Sequence, residues 1–311
     1  MRKNSIALKV RKGYTKDWDI GFTDAPMTFG LISGTQKEEF QMDWNKELFK
    51  DNEKPLDRLV DSYSHTSVFR KIAFIGDSLS SGEFETRDAE GKPGYHDLYE
   101  YSWGQYIARK NGLTAYNFSR GGMRADGYIN YFAFERGLWD QELACQAYVI
   151  ALGVNDVLNQ GQEIGSISDI DSTDYRNNKA TFAGYYAQII MRYKEISPDA
   201  KFFLVTFPQS DKPGREEKSL AVRTLLYDMA AYFENTYVID LYQYGPVHDA
   251  KFREKFYLYG HLNPSGYILT AQIIDSYIDY IVRHNPEDFR EVGFVNSGIE
   301  YKQCLQKNTK K

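Results

Sequence analysis

From Lys71 onward, short continuous apolar runs alternate with longer stretches in which apolar residues recur every three or four positions. The short runs are Ile72–Ile75, Thr114–Phe118, Tyr148–Leu152, Phe202–Phe207 and Tyr237–Ile239. They are rich in β-branched and aromatic residues and do not alternate with polar ones. Strands covered on both faces, as in a parallel sheet, read this way. The intervening stretches have helical spacing. Ser102–Lys110 gathers Trp103, Tyr106 and Ile107 on one face, and Ala183–Ile196 repeats Tyr186, Ile189, Ile190 and Tyr193. Ser219–Phe233 is a third such stretch. Ser265–Arg283 is a long fourth, with Ile268, Ala271, Ile274, Tyr277 and Ile281 along a stripe. Strands and helices alternating at these lengths form βαβ units, so the pattern predicts a parallel sheet with helices on both faces.

The chain before this region is irregular. Residues 1–68 are expected to form an N-terminal extension, with Ser5–Val10 and Met27–Ser33 as short strands and the loop DNEKPLDRLVDS leading into a polar helix. The main domain is expected over residues 69–285, and residues 286–311 form a polar C-terminal tail. Glu83–Tyr101 (EFETRDAEGKPGYHDLYEY) reads as a long, polar, tyrosine-rich loop able to line or cover a cleft.

In open α/β sheets, ligands bind at the carboxyl ends of the strands, so the residues following each strand carry the chemistry. After the first strand comes Gly76-Asp77-Ser78-Leu79-Ser80, a turn that can project a serine hydroxyl above the sheet. After the second comes Asn117-Phe118-Ser119-Arg120-Gly121-Gly122, whose glycines permit close backbone approach. After the third comes Gly153-Val154-Asn155-Asp156. Asn155 there can donate a side-chain N–H to an oxyanion, and Asp156 can hold the turn or cap a helix. Ahead of the last helix comes Gly260-His261-Leu262-Asn263-Pro264-Ser265-Gly266-Tyr267. A histidine at this point can take a proton from a serine and return it to a leaving group. The other four histidines, His65, His96, His248 and His284, lack this setting. Each block alone is an ordinary turn.

Taken together and in order, the four blocks resemble the SGNH/GDSL family of serine hydrolases over roughly Phe69 to Arg283. The resemblance implies a three-layer α/β/α sandwich with a parallel, flavodoxin-like five-stranded sheet. It also implies Ser78 as nucleophile, His261 as general base, and oxyanion donors from the Gly122 backbone and the Asn155 side chain. Family members cleave acyl groups from lipids, sugars, thioesters and small esters. The expectation here is a serine esterase for short acyl groups on a hydrophilic substrate such as an acetylated saccharide. A lipase or thioesterase of the same family, and a non-catalytic saccharide-binding protein on the same scaffold, are the alternatives.

One block departs from the family pattern. The last block usually reads Asp-x-x-His, yet Leu258 stands three residues before His261. In a Ser-His-Asp triad that acid fixes the histidine tautomer and stabilises the imidazolium. Three arrangements are open. A backbone carbonyl can orient His261 in a Ser-His dyad, a carboxylate can reach it from elsewhere, or the site can be weak. Asp240, Asp249 and Glu254 are the candidate acids in the preceding segment.

Composition narrows the class further. The 311 residues carry a formal charge of -5, which is no footprint for nucleic acid. No apolar run approaches the length of a membrane span, and the basic N-terminus lacks the continuous apolar stretch of a secretory leader. A soluble cytoplasmic protein is therefore expected. Only two cysteines occur, Cys145 and Cys304, with no CxxC spacing. Neither a disulfide framework nor a metal or cofactor is expected. The partner is a small-molecule or saccharide ester, and the oligomeric state is not legible. The 25 tyrosines suit a half-wet, sugar-facing surface as well as they suit a compositional habit.

Overall fold

The computed structural model describes residue 50 and residues 52–299. All five expected sheet strands form: β1 (Lys71–Gly76), β4 (Thr114–Ser119), β5 (Ala147–Ala151), β6 (Lys201–Val205) and β7 (Thr236–Ile239). They pair in parallel in the order β4-β1-β5-β6-β7. That is the flavodoxin-like order, with its switch point between β1 and β5. The possible strands Ser5–Val10 and Met27–Ser33 lie outside the described residues.

Period-two alternation sends successive strand side chains to opposite faces. Ala73, Ile75, Tyr148, Ile150, Phe202 and Leu204 enter one core, against helices α3 (Phe182–Ile196) and α4 (Glu216–Tyr232). Ile72, Phe74, Val149, Phe203 and Val205 enter the other, against α2 (Trp103–Asn111) and α6 (Pro264–His284). Both faces being dry, no polar alternation is needed, and the strands read as continuous apolar runs.

The helices begin where side-chain oxygens can satisfy their first N–H groups. Ser102, Thr181 and Asn263 cap α2, α3 and α6 in this way, and Pro264 occupies the first turn of α6. Segments on either side of residues 69–285 also pack on this domain. Residues 52–64 run as turns and bends, and the polar helix expected after them shrinks to one 3-10 turn, His65–Val68. Side chains of α6 hold this segment: Ser276 accepts from Val60 N at 2.9 Å, and Arg283 forks onto Glu53 at 2.7 and 2.8 Å. At the other end Phe289, Val292 and Val295 are buried.

Two small antiparallel ribbons sit outside the main sheet. Glu83–Arg87 (β2) pairs with Pro93–Asp97 (β3), and Tyr257–Leu258 (β8) pairs with His261–Leu262 (β9). The first corrects the loop expected over Glu83–Tyr101. Its inward positions are Glu83 and Glu85, both buried, rather than apolar residues. The usual hydrophobic signal of a strand is therefore missing from the sequence.

Candidate active site

The register of the sheet brings three of the four blocks together. Gly76 at the end of β1 lies beside Ser119 of β4 on one side and Ala151 of β5 on the other. The loops carrying Ser78, Gly122 and Asn155 thus leave adjacent strand ends.

Ser78 opens a single helical turn, α1 (Ser78–Ser81). Asp77 caps that turn: its side chain accepts from Leu79 N at 3.1 Å and its carbonyl from Ser80 N and Ser81 N. The Ser78 N–H has no partner within the turn. The next block enters the left-handed region at Gly122, with φ of 70°, where a side chain would be strained. Asn155 follows Gly153 and donates its amide to Met123 O at 3.2 Å and, at 3.5 Å, to Asp77. Its side chain therefore bridges the loops that carry Ser78 and Gly122. Asp156 holds the turn beneath, accepting from Ala125 N at 2.7 Å.

Two carboxyls are buried under this arrangement. Loss of solvent raises Asp77 to about 6, with the charges of Asp156 and Glu83 adding to the rise and the Leu79 N–H and His261 opposing it. Asp156 also rises to about 6, again chiefly through burial. One of its oxygens, Oδ2, is buried without a hydrogen bond.

His261 sits elsewhere, on the β8–β9 ribbon two residues before the Asn263 cap of α6. Leu258 is its direct cross-strand partner, but its side chain is exposed and apolar. The carboxylates that meet His261 come from β2. Glu85 Oε2 lies 3.4 Å from Nδ1 and accepts from Gly260 N at 2.7 Å. Glu83 Oε1 lies 3.0 Å from Nε2. Residues two apart on a strand share a face, so one strand presents both acids to the ring. Burial by itself pulls the imidazole down. The hydrogen bonds and charges of Glu83 and then Glu85 outweigh it and hold His261 above its ordinary value. Glu85 is itself held low: burial opposes ionisation, but the Gly260 N–H, Arg87 and His261 prevail.

None of the acids expected from the preceding segment touches His261. Asp240 is fully buried but engaged with Arg223, Tyr227 and Thr206. Asp249 caps helix α5 (Ala250–Phe256), accepting from Phe252 N, and Glu254 is exposed on that helix. Closeness in sequence misled here, because the ribbon turns His261 away from α5 and toward β2. The signal that could have found the acids was Glu-Phe-Glu directly after the serine turn. The remaining histidines are occupied elsewhere: His65 by Asp279, His96 by Thr86, His248 by Tyr257 and His284 by Tyr280.

A cavity of about 90 Å³ adjoins the serine turn at Asp77, Leu79 and Ser80, with Trp103, Phe207 and Ile274 among its apolar walls. Among the described residues, no cluster of His, Cys, Asp and Glu is arranged to hold a metal ion, and no helix is long and apolar enough to cross a membrane.

Among solved structures, the chain resembles a Lactobacillus plantarum protein at 15% identity, covering 68% of this chain and 97% of that one, with a TM-score of 0.50. It also resembles a family two carbohydrate esterase from Clostridium thermocellum in complex with cellohexaose (17% identity, 74% and 67% covered, TM-score 0.48). A third likeness is to Est24, a carbohydrate acetylesterase from Sinorhizobium meliloti (16% identity, 68% and 99% covered, TM-score 0.47). At these identities the likeness concerns the fold. No curated protein matches the chain. The model of the GDSL-like lipase/acylhydrolase family matches residues 74–269, more than half of the sequence and all four blocks, and the chain belongs to that family.

Proposed function

We propose that this protein is a serine esterase that cleaves short acyl groups from a hydroxyl-rich alcohol, an acylated saccharide being the model substrate. The observation that carries the reading is the contact of Glu85 with Nδ1 of His261. It supplies the orienting acid that Leu258 cannot, and it assigns the chemistry to Nε2, which Glu83 meets in the free protein.

In the proposed cycle, His261 Nε2 takes the proton of Ser78 Oγ as Oγ bonds to the ester carbonyl carbon. The carbonyl π electrons move to its oxygen, which is met by the N–H groups of Ser78 and Gly122 and the amide of Asn155. Collapse of the intermediate breaks the carbon–alkoxy bond, and His261 returns the proton to the leaving alkoxide. Water then repeats the sequence on the acyl-enzyme, giving the carboxylic acid and free Ser78.

Replacement Ser78→Ala should lower hydrolysis of p-nitrophenyl acetate by about 10⁴-fold or more. It should also abolish labelling by a fluorophosphonate. Parental rates in that variant would refute the assignment. The second reading, a saccharide binder without turnover, draws on the Glu83 contact at Nε2. It predicts no fluorophosphonate labelling of the parent protein.

A further inference from the structure

We propose that Glu83 is a specificity-determining residue: in the free protein its carboxylate occupies the His261 nitrogen that Ser78 needs, and a leaving group rich in hydroxyls is what draws it away. This rests on the reading of Ser78 and His261 given above.

The argument begins with hydrogen-bond accounting. An ionised carboxylate only accepts. Glu83 at Nε2 and Glu85 at Nδ1 are satisfied together only when both ring nitrogens carry protons. Such a ring is an imidazolium and cannot accept the serine proton. Consistently, no hydrogen bond joins the Ser78 hydroxyl to His261 among the described residues. The groups facing the ring are Glu83 and Glu85 from β2, Asp77 from the serine turn, and the edge-on ring of Tyr95 from β3 at 5.7 Å. Arg87 pairs with Glu85, not with Glu83.

The second oxygen of Glu83 points the same way. A Cβ at Gly121 would collide with Glu83 Oε2, so the carboxylate lies against the loop that leads to Gly122. Glu83 therefore stands between the base and the proposed oxyanion donors. An ester bound for attack has to meet it.

What holds the Glu83 carboxylate is its ion pair with His261, so new donors have to replace that partner when it leaves. The Glu83 backbone is fixed by pairing with Asp97 and by the hydroxyl of Tyr267, which donates to its carbonyl at 2.7 Å. Among the described residues, its carboxylate has a single ion-pair partner, His261. Rotation about side-chain bonds is enough to release it. A polyol can offer the carboxylate new donors in exchange; an alkyl alcohol has none to offer. Tyr95, more than half exposed on β3, provides a ring beside His261 for a sugar to lie against.

The test compares two acetate esters, an acetylated methyl xyloside and butyl acetate, in the parent and in Glu83→Gln. The parent should favour the sugar ester in kcat/KM by about 10–100-fold, the range of a hydrogen bond to a charged group. Glu83→Gln should erase most of that preference by accelerating butyl acetate hydrolysis. It should also move the acidic limb of the pH–rate profile to lower pH, since His261 then sheds its proton more readily. The NMR titration midpoint of the His261 ring should fall with it, a readout that needs no turnover. An unchanged ester ratio and unchanged limb in an active variant would overturn the proposal. Loss of activity on both esters with Ser78 still labelled would overturn it too, since Glu83 would then be required for turnover. A parent protein inert to both esters and to fluorophosphonate would instead refute the esterase reading on which the proposal stands.

Discussion

The two halves of the candidate site are built in different ways. The side carrying Ser78, Gly122 and Asn155 hangs directly from the ends of β1, β4 and β5, three neighbouring strands of one parallel sheet. The side carrying His261, Glu83 and Glu85 stands on two short ribbons outside that sheet, touching across 176 and 178 positions of sequence. On the sheet side, backbone register does the positioning. On the ribbon side, charged side chains do much of it. Their geometry is therefore open to protonation and to displacement in a way the strand ends are not.

The sharpest way to break this contrast is to remove charge from the ribbon side. Glu85→Gln should lower kcat by about 10³–10⁴-fold, as loss of the orienting acid does in serine proteases. Cross-strand neighbours lie close, so Leu258→Asp on that background should restore part of the rate. Steady-state kinetics on a soluble acetate ester checks both. A silent Glu85→Gln would mean that a backbone group suffices to orient His261.

Next in size is Asn155→Ala on the sheet side. Loss of one oxyanion donor should cost about 10²–10³-fold in kcat with little change in KM. A variant that raised KM at unchanged kcat would make Asn155 a substrate-binding residue instead.

The smallest effect is on stability. Burial lifts Asp156 from 3.8 to about 6, so the folded protein binds that proton more tightly than the unfolded chain does. Such a group favours folding at low pH. Its contribution is lost as pH climbs from 3.8 to about 6, and above that it is a standing cost. Asp156→Asn should therefore gain about 1–2 kcal/mol at pH 8 and flatten stability across that window. Urea denaturation at pH 5 and pH 8 measures it. A variant less stable at pH 8 than the parent would mean that the Asp156 charge supports the turn.

The same division governs what could be read in the chain. The five sheet strands, the four principal helices and the blocks containing Ser78, Gly122, Asn155 and His261 are local signals. Each depends on periodicity or on a turn within a dozen residues, and the family match over residues 74–269 spans all four blocks. Glu83 and Glu85 were not legible as site residues. Inward-facing acids erase the apolar alternation that marks a strand, and the segment reads as a polar loop. The candidate acids Asp240, Asp249 and Glu254 failed for the complementary reason: proximity along the chain says nothing about which way a ribbon turns.

By itself, then, the sequence determined the layered α/β scaffold, because burial on both faces of a sheet writes itself as apolar runs. It also determined which turns sit at the strand ends. Only the tertiary structure decided what stands beside His261. That choice depends on two ribbons meeting across distant sequence, where one strand's period of two delivers one carboxylate to each ring nitrogen.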